Sequence, residues 1–252
     1  MRIKILYEDE QILIIHKPAG LATQTAKVGQ QDVVSELKNY LARKNKGKVP
    51  YLGVIHRLDQ PVEGLLVFAK EKQAAAALTK QLGVGTLNKR YYALICGQVQ
   101  EKRGELADYL YKDRDGKAQV TESFTGDVKQ KRKADIIVED VQGARKADNF
   151  AEDAKKAVLQ YEIIKEYSQG SYLADIHIDT GRFHQIRAQM SHAGMPLLGD
   201  SKYGNKHSME LSHMLGVRNV ALCEYFLEVL HPVTGKKLEF QVELPNFCSN
   251  LK

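Results

Sequence analysis

The 252 residues include only three cysteines, Cys96, Cys223 and Cys248, far apart in the chain and without a CxxC pair. That spacing excludes a disulfide framework and a cysteine-based zinc site, and it points to a reducing cytoplasm. No apolar run approaches about 18 residues, so no transmembrane helix is expected. The opening Met1–Glu8 has an early basic residue but no apolar h-region, which excludes a secretory signal. Linkers rich in Pro, Gly or Ser are missing, as is any repeat at a solenoid period, so residues 1–252 are expected to form a single domain. Neither nucleotide cradle, GxGxxG or GxxxxGK[ST], occurs, nor does a GxSxG elbow or HExxH; no nucleotide cofactor is expected. His177, His184 and His192 have no second carboxylate at ligand spacing, so no metal site is expected.

What is present is an ordinary globular composition with a modest basic excess, 37 Lys plus Arg against 31 Asp plus Glu. The excess leans toward a polyanionic partner, although a solvated basic face would have the same composition. Residues 3–7 and Ile12–Ile15 read as two strands of a hairpin, followed by a turn at Lys17–Leu21. Asp32 is a candidate N-cap for a helix carrying Val33, Leu37, Tyr40 and Leu41. Alanine-rich Lys70–Leu82 predicts a second helix, stopped by Gly83 and Gly85. Lys89–Gly97, Val158–Ile164, Tyr172–Asp179, Tyr225–Leu230 and Leu238–Leu244 read as strands, the last two joined by the His231–Lys237 turn. Residues 100–157 are the least legible part. Phe150–Lys156 looks helical there, and Lys129–Lys133 is a basic cluster that fits either a solvated loop or a phosphate contact. Strands in runs joined by hairpins favour α+β, with a largely antiparallel mixed sheet, over a doubly wound parallel fold.

Two stretches carry chemistry. In the first, His56-Arg57-Leu58-Asp59 precedes the turn Gln60-Pro61-Val62-Glu63-Gly64 and the apolar run Leu65–Ala69. Asp59 is thus presented on a loop feeding a buried strand, where a carboxylate often only accepts local backbone bonds. In the second, Asp179-Thr180-Gly181-Arg182 ends a strand and Phe183–Ala193 predicts a short helix, with Gly194 just past its end. Helical spacing places His184, Arg187 and Ser191 on one face beside an apolar stripe of Ile186, Met190 and Ala193. On this reading His184 is structural, holding its helix against the preceding turn, and a buried Arg187 requires a carboxylate partner. Tyr91 is core or sheet surface by default.

Taken together, these motifs resemble the RluA-type pseudouridine synthases. The resemblance rests on His56–Asp59 with Gly64–Lys70, on Thr180–Arg187, and on Gly194–Asp200 with Tyr203-Gly204. It extends to Ile5–Asp9 with His16–Gly20, to Lys89–Ala93 and to His231–Gly235, nearly the whole chain apart from about residues 100–157. It implies the pseudouridine synthase fold, with helices flanking the sheet and a central cleft, and isomerisation of specific uridines in ribosomal or transfer RNA without a cofactor. Asp59 is the implied catalytic carboxylate, Arg187 its partner, and Tyr91 the ring that stacks on the flipped uracil and assists proton movement. Arg57, His56, Arg182, His184 and Gln185 are the implied RNA contacts, Arg57 having an equally simple structural role. A cytoplasmic monomer with RNA as its partner and no membrane association is expected, without the S4-like N-terminal module of many relatives.

This chain departs from the family pattern at Val62-Glu63, where Thr-Ser is common, at Ala188-Gln189, where Val-His is common, and at Cys223-Glu224, where His-Ala is common. None of these replaces Asp59, Tyr91 or Arg187 themselves. Two other readings remain at the level of sequence: an RNA-binding protein that keeps the fold without catalysis, and a glycoside-type hydrolase built on Asp59, for which no second flanking carboxylate stands out.

Overall fold

A computed structural model describes residues 3–27, 29–44, 46, 49–121 and 153–248. The hairpin of β1 (Lys4–Glu8) and β2 (Ile12–Lys17) forms as the alternation predicts, with a bulge between Ile5 and Tyr7. Asp32 Oδ1 accepts the Ser35 amide at 2.7 Å, capping α1 (Val33–Lys44). A short β3 (Gly53–Val54) leads to β4 (Glu63–Ala69), α2 (Lys72–Gly83) and β5 (Asn88–Cys96). Then come β6 (Arg103–Lys112), β7 (Ala118–Thr121), β8 (Lys155–Tyr167), β9 (Ser171–Ile178), α3 (Gln185–His192), α4 (Lys206–Met214), β10 (Leu222–Leu230) and β11 (Lys237–Gln241).

All these strands join one sheet in the order β1-β2-β4-β10-β5-β9-β8-β6-β7, with β11 on β10 and β3 on β4. Every pairing is antiparallel except β4 with β10, so the expected α+β class and largely antiparallel mixed sheet are what is found. Strand β10 lies between β4 and β5, although some 125 residues separate it from β5 in the chain.

The central strands are buried on both faces, which explains their continuous apolar runs. Along β2 and β4, Leu13, Ile15, Leu66 and Phe68 face one core while Ile12, Ile14, Leu65 and Val67 face the other. Helix α1 covers the first face through Val33, Val34, Leu37 and Leu41, and α2 covers the second through Ala74 and Leu78. Each such Leu or Ile, fully removed from water, contributes on the order of 1.5–3 kcal/mol before entropy is counted.

The fold departs from the sequence reading in several places. Lys155 and Lys156, expected at the end of a helix, open strand β8, which pairs with β6 and β9 over most of its length. Pairing of these two lysines with Leu110 and Tyr109 of β6 outweighs the local helical preference of a Lys/Ala-rich segment. Strands β6 and β7 and helix α4 were not expected. Strand β6 alternates between exposed and half-buried residues with many charges, so its apolar signal is faint. Strand β11 ends at Gln241, leaving Leu244 exposed. The Lys129–Lys133 cluster lies outside the described residues.

Candidate active site

Asp59 sits on the tight loop between β3 and β4, and both sides of that loop are clamped. Thr23 Oγ1 donates to the Leu58 carbonyl at 2.8 Å and accepts the Leu58 amide at 3.2 Å. After the aspartate, the fully buried Lys17 ammonium donates to the carbonyls of Pro18, Leu21 and Gln60 at 3.0, 2.7 and 3.2 Å. Burial pulls Lys17 down to about 8, against the opposing attraction of Asp59 and Glu63. The Val62 amide closes the turn onto the Asp59 carbonyl. Gly64, at φ +135°, passes so close to β10 that a Cβ would stand 2.5 Å from the Glu224 nitrogen and 2.6 Å from its oxygen.

Across the cleft, α3 supplies Arg187. The helix begins two residues later than its spacing predicts, because His184 takes left-handed backbone angles (φ +53°). Arg187 is buried and is held by two carboxylates. Nε and Nη2 donate to Asp200 Oδ2 and Oδ1 at 2.7 and 2.8 Å, and Nη1 donates to Asp59 Oδ2 at 2.9 Å. Burial alone would weaken the guanidinium's hold on its proton, but the Asp200 bonds and charge, joined by Asp59, outweigh it and push its pKa up. Asp200 is itself fully buried and also accepts the Lys202 and Tyr203 amides. The guanidinium lies 5.0 Å from the centre of the Tyr203 ring.

His184 stacks on Phe183 with ring centres 3.7 Å apart and is 12% exposed. Tyr203 Oη accepts the Ala118 amide at 2.7 Å, so its own proton goes to His184 Nδ1, also at 2.7 Å. A neutral imidazole then carries its hydrogen on Nε2, which faces Asp59 Oδ2 at 3.5 Å. Burial pushes His184 down to about 4, Asp59 opposing and Arg187 and Lys202 reinforcing. With Oδ2 engaged, Asp59 Oδ1 has no hydrogen-bond partner among the described residues, and the side chain is 27% exposed to the cleft.

Tyr91, on β5, faces the same cleft with 5% of its surface exposed, and its hydroxyl donates to Glu224 Oε2 at 2.7 Å. Burial, then the Glu224 charge and hydrogen bond, then Asp59 hold Tyr91 well above the ordinary tyrosine range. His56 is buried beneath the loop with Nε2 3.0 Å from Glu224 Oε1. Gln185 is buried too. Its oxygen accepts from Thr180 Oγ1 and the Arg182 amide, and its nitrogen donates to the Val158 carbonyl. Arg57 and Arg182 are exposed at the rim. Arg182 Nε donates to the Lys156 carbonyl, while Arg57 has no partner among the described residues.

All eight residues singled out from the sequence therefore line one cleft of about 1290 Å³. Asp59 meets Arg187 and His184 there and Tyr91 lines the same cleft, whereas Gln185 and His56 are committed to internal bonds. A second hollow of about 630 Å³, lined by the pairs Arg90–Asp175 and Arg103–Glu162, holds none of them. Four residues that fix this geometry, Lys17, Asp200, Tyr203 and Glu224, were not among those expected. A signal existed for Glu224: an acid inside an apolar, centrally paired strand needs a donor. Among the described residues, no group of three or more His, Cys, Asp or Glu could hold a metal ion.

Residues 11–192 match the family model described as RNA pseudouridylate synthase. The chain belongs to this family. It is 32% identical over 249 residues to the ribosomal large subunit pseudouridine synthase D of Zymomonas mobilis subsp. mobilis, covering 96% of this chain and 69% of that one. The synthase D of Pseudomonas aeruginosa is 31% identical over 254 residues, covering 97% and 69%. Among solved structures, the human RNA pseudouridylate synthase domain containing 4 superposes with a TM-score of 0.72 at 22% identity, covering 98% of this chain and 90% of that one, which is a likeness of fold. The chain is an RluA-type RNA pseudouridine synthase, an isomerase that converts uridine to pseudouridine in RNA. No described helix is long and apolar enough to cross a membrane.

Proposed function

We propose that Asp59 is the catalytic carboxylate of this isomerisation, aimed by Arg187, with Tyr91 at the reacting base. The reaction breaks the bond from uracil N1 to ribose C1′, turns the base and joins C5 to C1′, so it consumes neither reductant nor nucleotide. The observation that carries the reading is the single arginine bond to Asp59: Oδ2 is pinned at 2.9 Å and Oδ1 is left facing the cleft, available to act on the nucleoside. A buried guanidinium shared with Asp200 cannot drift, so the carboxylate is preorganised. The base must leave the RNA stack to reach this cleft, at a cost of a few kcal/mol. Exposed Arg57 and Phe183 at the rim supply a charge and an aromatic face for the displaced strand.

The names of the relatives direct the substrate reading to ribosomal large-subunit RNA. A cytoplasmic setting suits three buried, free thiols. One catalytic domain over residues 1–252 suits the single sheet. The test is tritium release from ribosomal RNA carrying 5-[³H]uridine and lacking the endogenous modification, because joining C5 to C1′ must expel the hydrogen at C5. Release by the native protein that is abolished in Asp59→Asn is the expected result. Undiminished release by that variant would remove Asp59 from the chemistry.

A further inference from the structure

Glu224 is an acid within an apolar, centrally paired strand. This side chain is fully buried in β10, directly opposite Tyr91 of β5 in the strand register. Its two oxygens take separate donors: Oε2 accepts the Tyr91 hydroxyl at 2.7 Å, and Oε1 lies 3.0 Å from His56 Nε2. The other imidazole nitrogen, Nδ1, is buried without a partner among the described residues. A doubly protonated ring would leave a buried N–H unsatisfied there, so the geometry favours the tautomer with hydrogen on Nε2, donating to Glu224. Both oxygens of Glu224 therefore act as acceptors, the role of a carboxylate. Removing a carboxylate from water requires such donors.

We propose that Glu224 is a positioning residue that takes the Tyr91 proton when Tyr91 accepts the hydrogen leaving uracil C5. The proposal rests on Tyr91 being at the reacting base. After C5 has joined C1′, that carbon carries both a hydrogen and the sugar, and the ring holds an N1=C6 double bond. The C5–H bond breaks and its electron pair forms C5=C6, while the N1=C6 pair moves to N1, which takes a proton from water. The C5 proton passes to the Tyr91 oxygen as the Tyr91 proton passes to Glu224 Oε2, and Glu224 returns it to solvent after product leaves. Tyr91 remains a phenol throughout. That matters because its burial and the Glu224 charge place free phenolate out of reach near neutral pH. The other titratable groups close by are Asp59 and Lys17 at the loop, and Glu63 and Cys223 on β4 and β10.

The test compares single-turnover tritium release by the native protein, Glu224→Gln, Tyr91→Phe and the double variant, between about pH 6.5 and 9. The expected result is a loss of about a hundredfold in rate for Glu224→Gln, with RNA affinity unchanged. Its rate should climb about tenfold per pH unit while the native profile stays flat, because Tyr91 must then ionise outright. In the Tyr91→Phe background, Glu224→Gln should have no further effect. A native rate and profile for Glu224→Gln, or the same loss with and without the Tyr91 hydroxyl, would overturn the proposal. A full rate in Tyr91→Phe would instead remove Tyr91 from the chemistry. If the glutamine variant does not fold, Glu224→Asp, whose shorter side chain withdraws from Tyr91, takes its place. A slow, pH-dependent rate supports the relay, and native behaviour overturns it.

Discussion

Asp200 grips Arg187 through two hydrogen bonds, of 2.7 and 2.8 Å, whereas Asp59 holds it through one of 2.9 Å. The bidentate pair is buried and anchors the guanidinium, and the single bond transmits that anchorage to the Asp59 carboxylate. Asp200→Asn leaves a buried cation short of one partner charge, and a loss of about 3–5 kcal/mol in unfolding free energy is expected from urea titration. Any folded fraction should turn over slowly, because Arg187 then answers to Asp59 alone.

Lys17 ties three carbonyls of the loop walls together, and Lys17→Met keeps its alkyl stem while removing those bonds. A loss of roughly 2–4 kcal/mol is expected, with turnover reduced and Asp59 loosened. The pH dependence has a fixed sign. The amine titrates at about 8 in the fold against 10.5 when exposed, so the unfolded chain binds more protons between those values. The penalty of burying this cation is complete below 8 and fades as pH rises to 10.5. Urea titrations across that window should show the native protein gaining on Lys17→Met.

His184 behaves in the same sense at lower pH. Its folded pKa of about 4 lies below the ordinary 6.5, so its neutral form stabilises the fold fully above 6.5 and that contribution is lost as pH falls toward 4. Asn tolerates the left-handed backbone at this position. Chemical denaturation should find His184→Asn losing about 2 kcal/mol less than the native protein on acidification across that range.

Arg57 is exposed at the cleft and bonded to nothing described, so its removal should leave folding untouched. Arg57→Ala is expected to weaken RNA binding several-fold and to lower the slope of log affinity against log salt by about one. Binding measured at two or more salt concentrations, with thermal unfolding as a control, checks both.

Much of this site was legible because its residues sit in short segments with strong local signatures. Pro61 and Gly64 mark the Asp59 loop, and an arginine in an apolar helix such as Arg187 announces a carboxylate partner. Sequence does not say which carboxylate, because Asp200 lies in a loop whose burial depends on β5, β10 and α4 closing around it. His184 reads as a helix residue until the rings of Phe183 and Tyr203 are seen to fix it outside the helix. The Lys155–Lys156 segment shows the limit most plainly, since its partner strand β6 is distant in the chain and local preference carries no record of it.

The place of β10 between β4 and β5 also sets an order on synthesis. A ribosome finishes the loop of Asp59 and the strand of Tyr91 long before it reaches residues 222–230, yet β4 and β5 are joined only through β10, which pairs with each of them. Until then the growing chain displays two long apolar strands with open edges, the state most exposed to mispairing. Folding must wait on a late, distant contact, which makes it slow. The cleft that holds Asp59 and Tyr91 therefore takes shape only once residues 222–230 have been made.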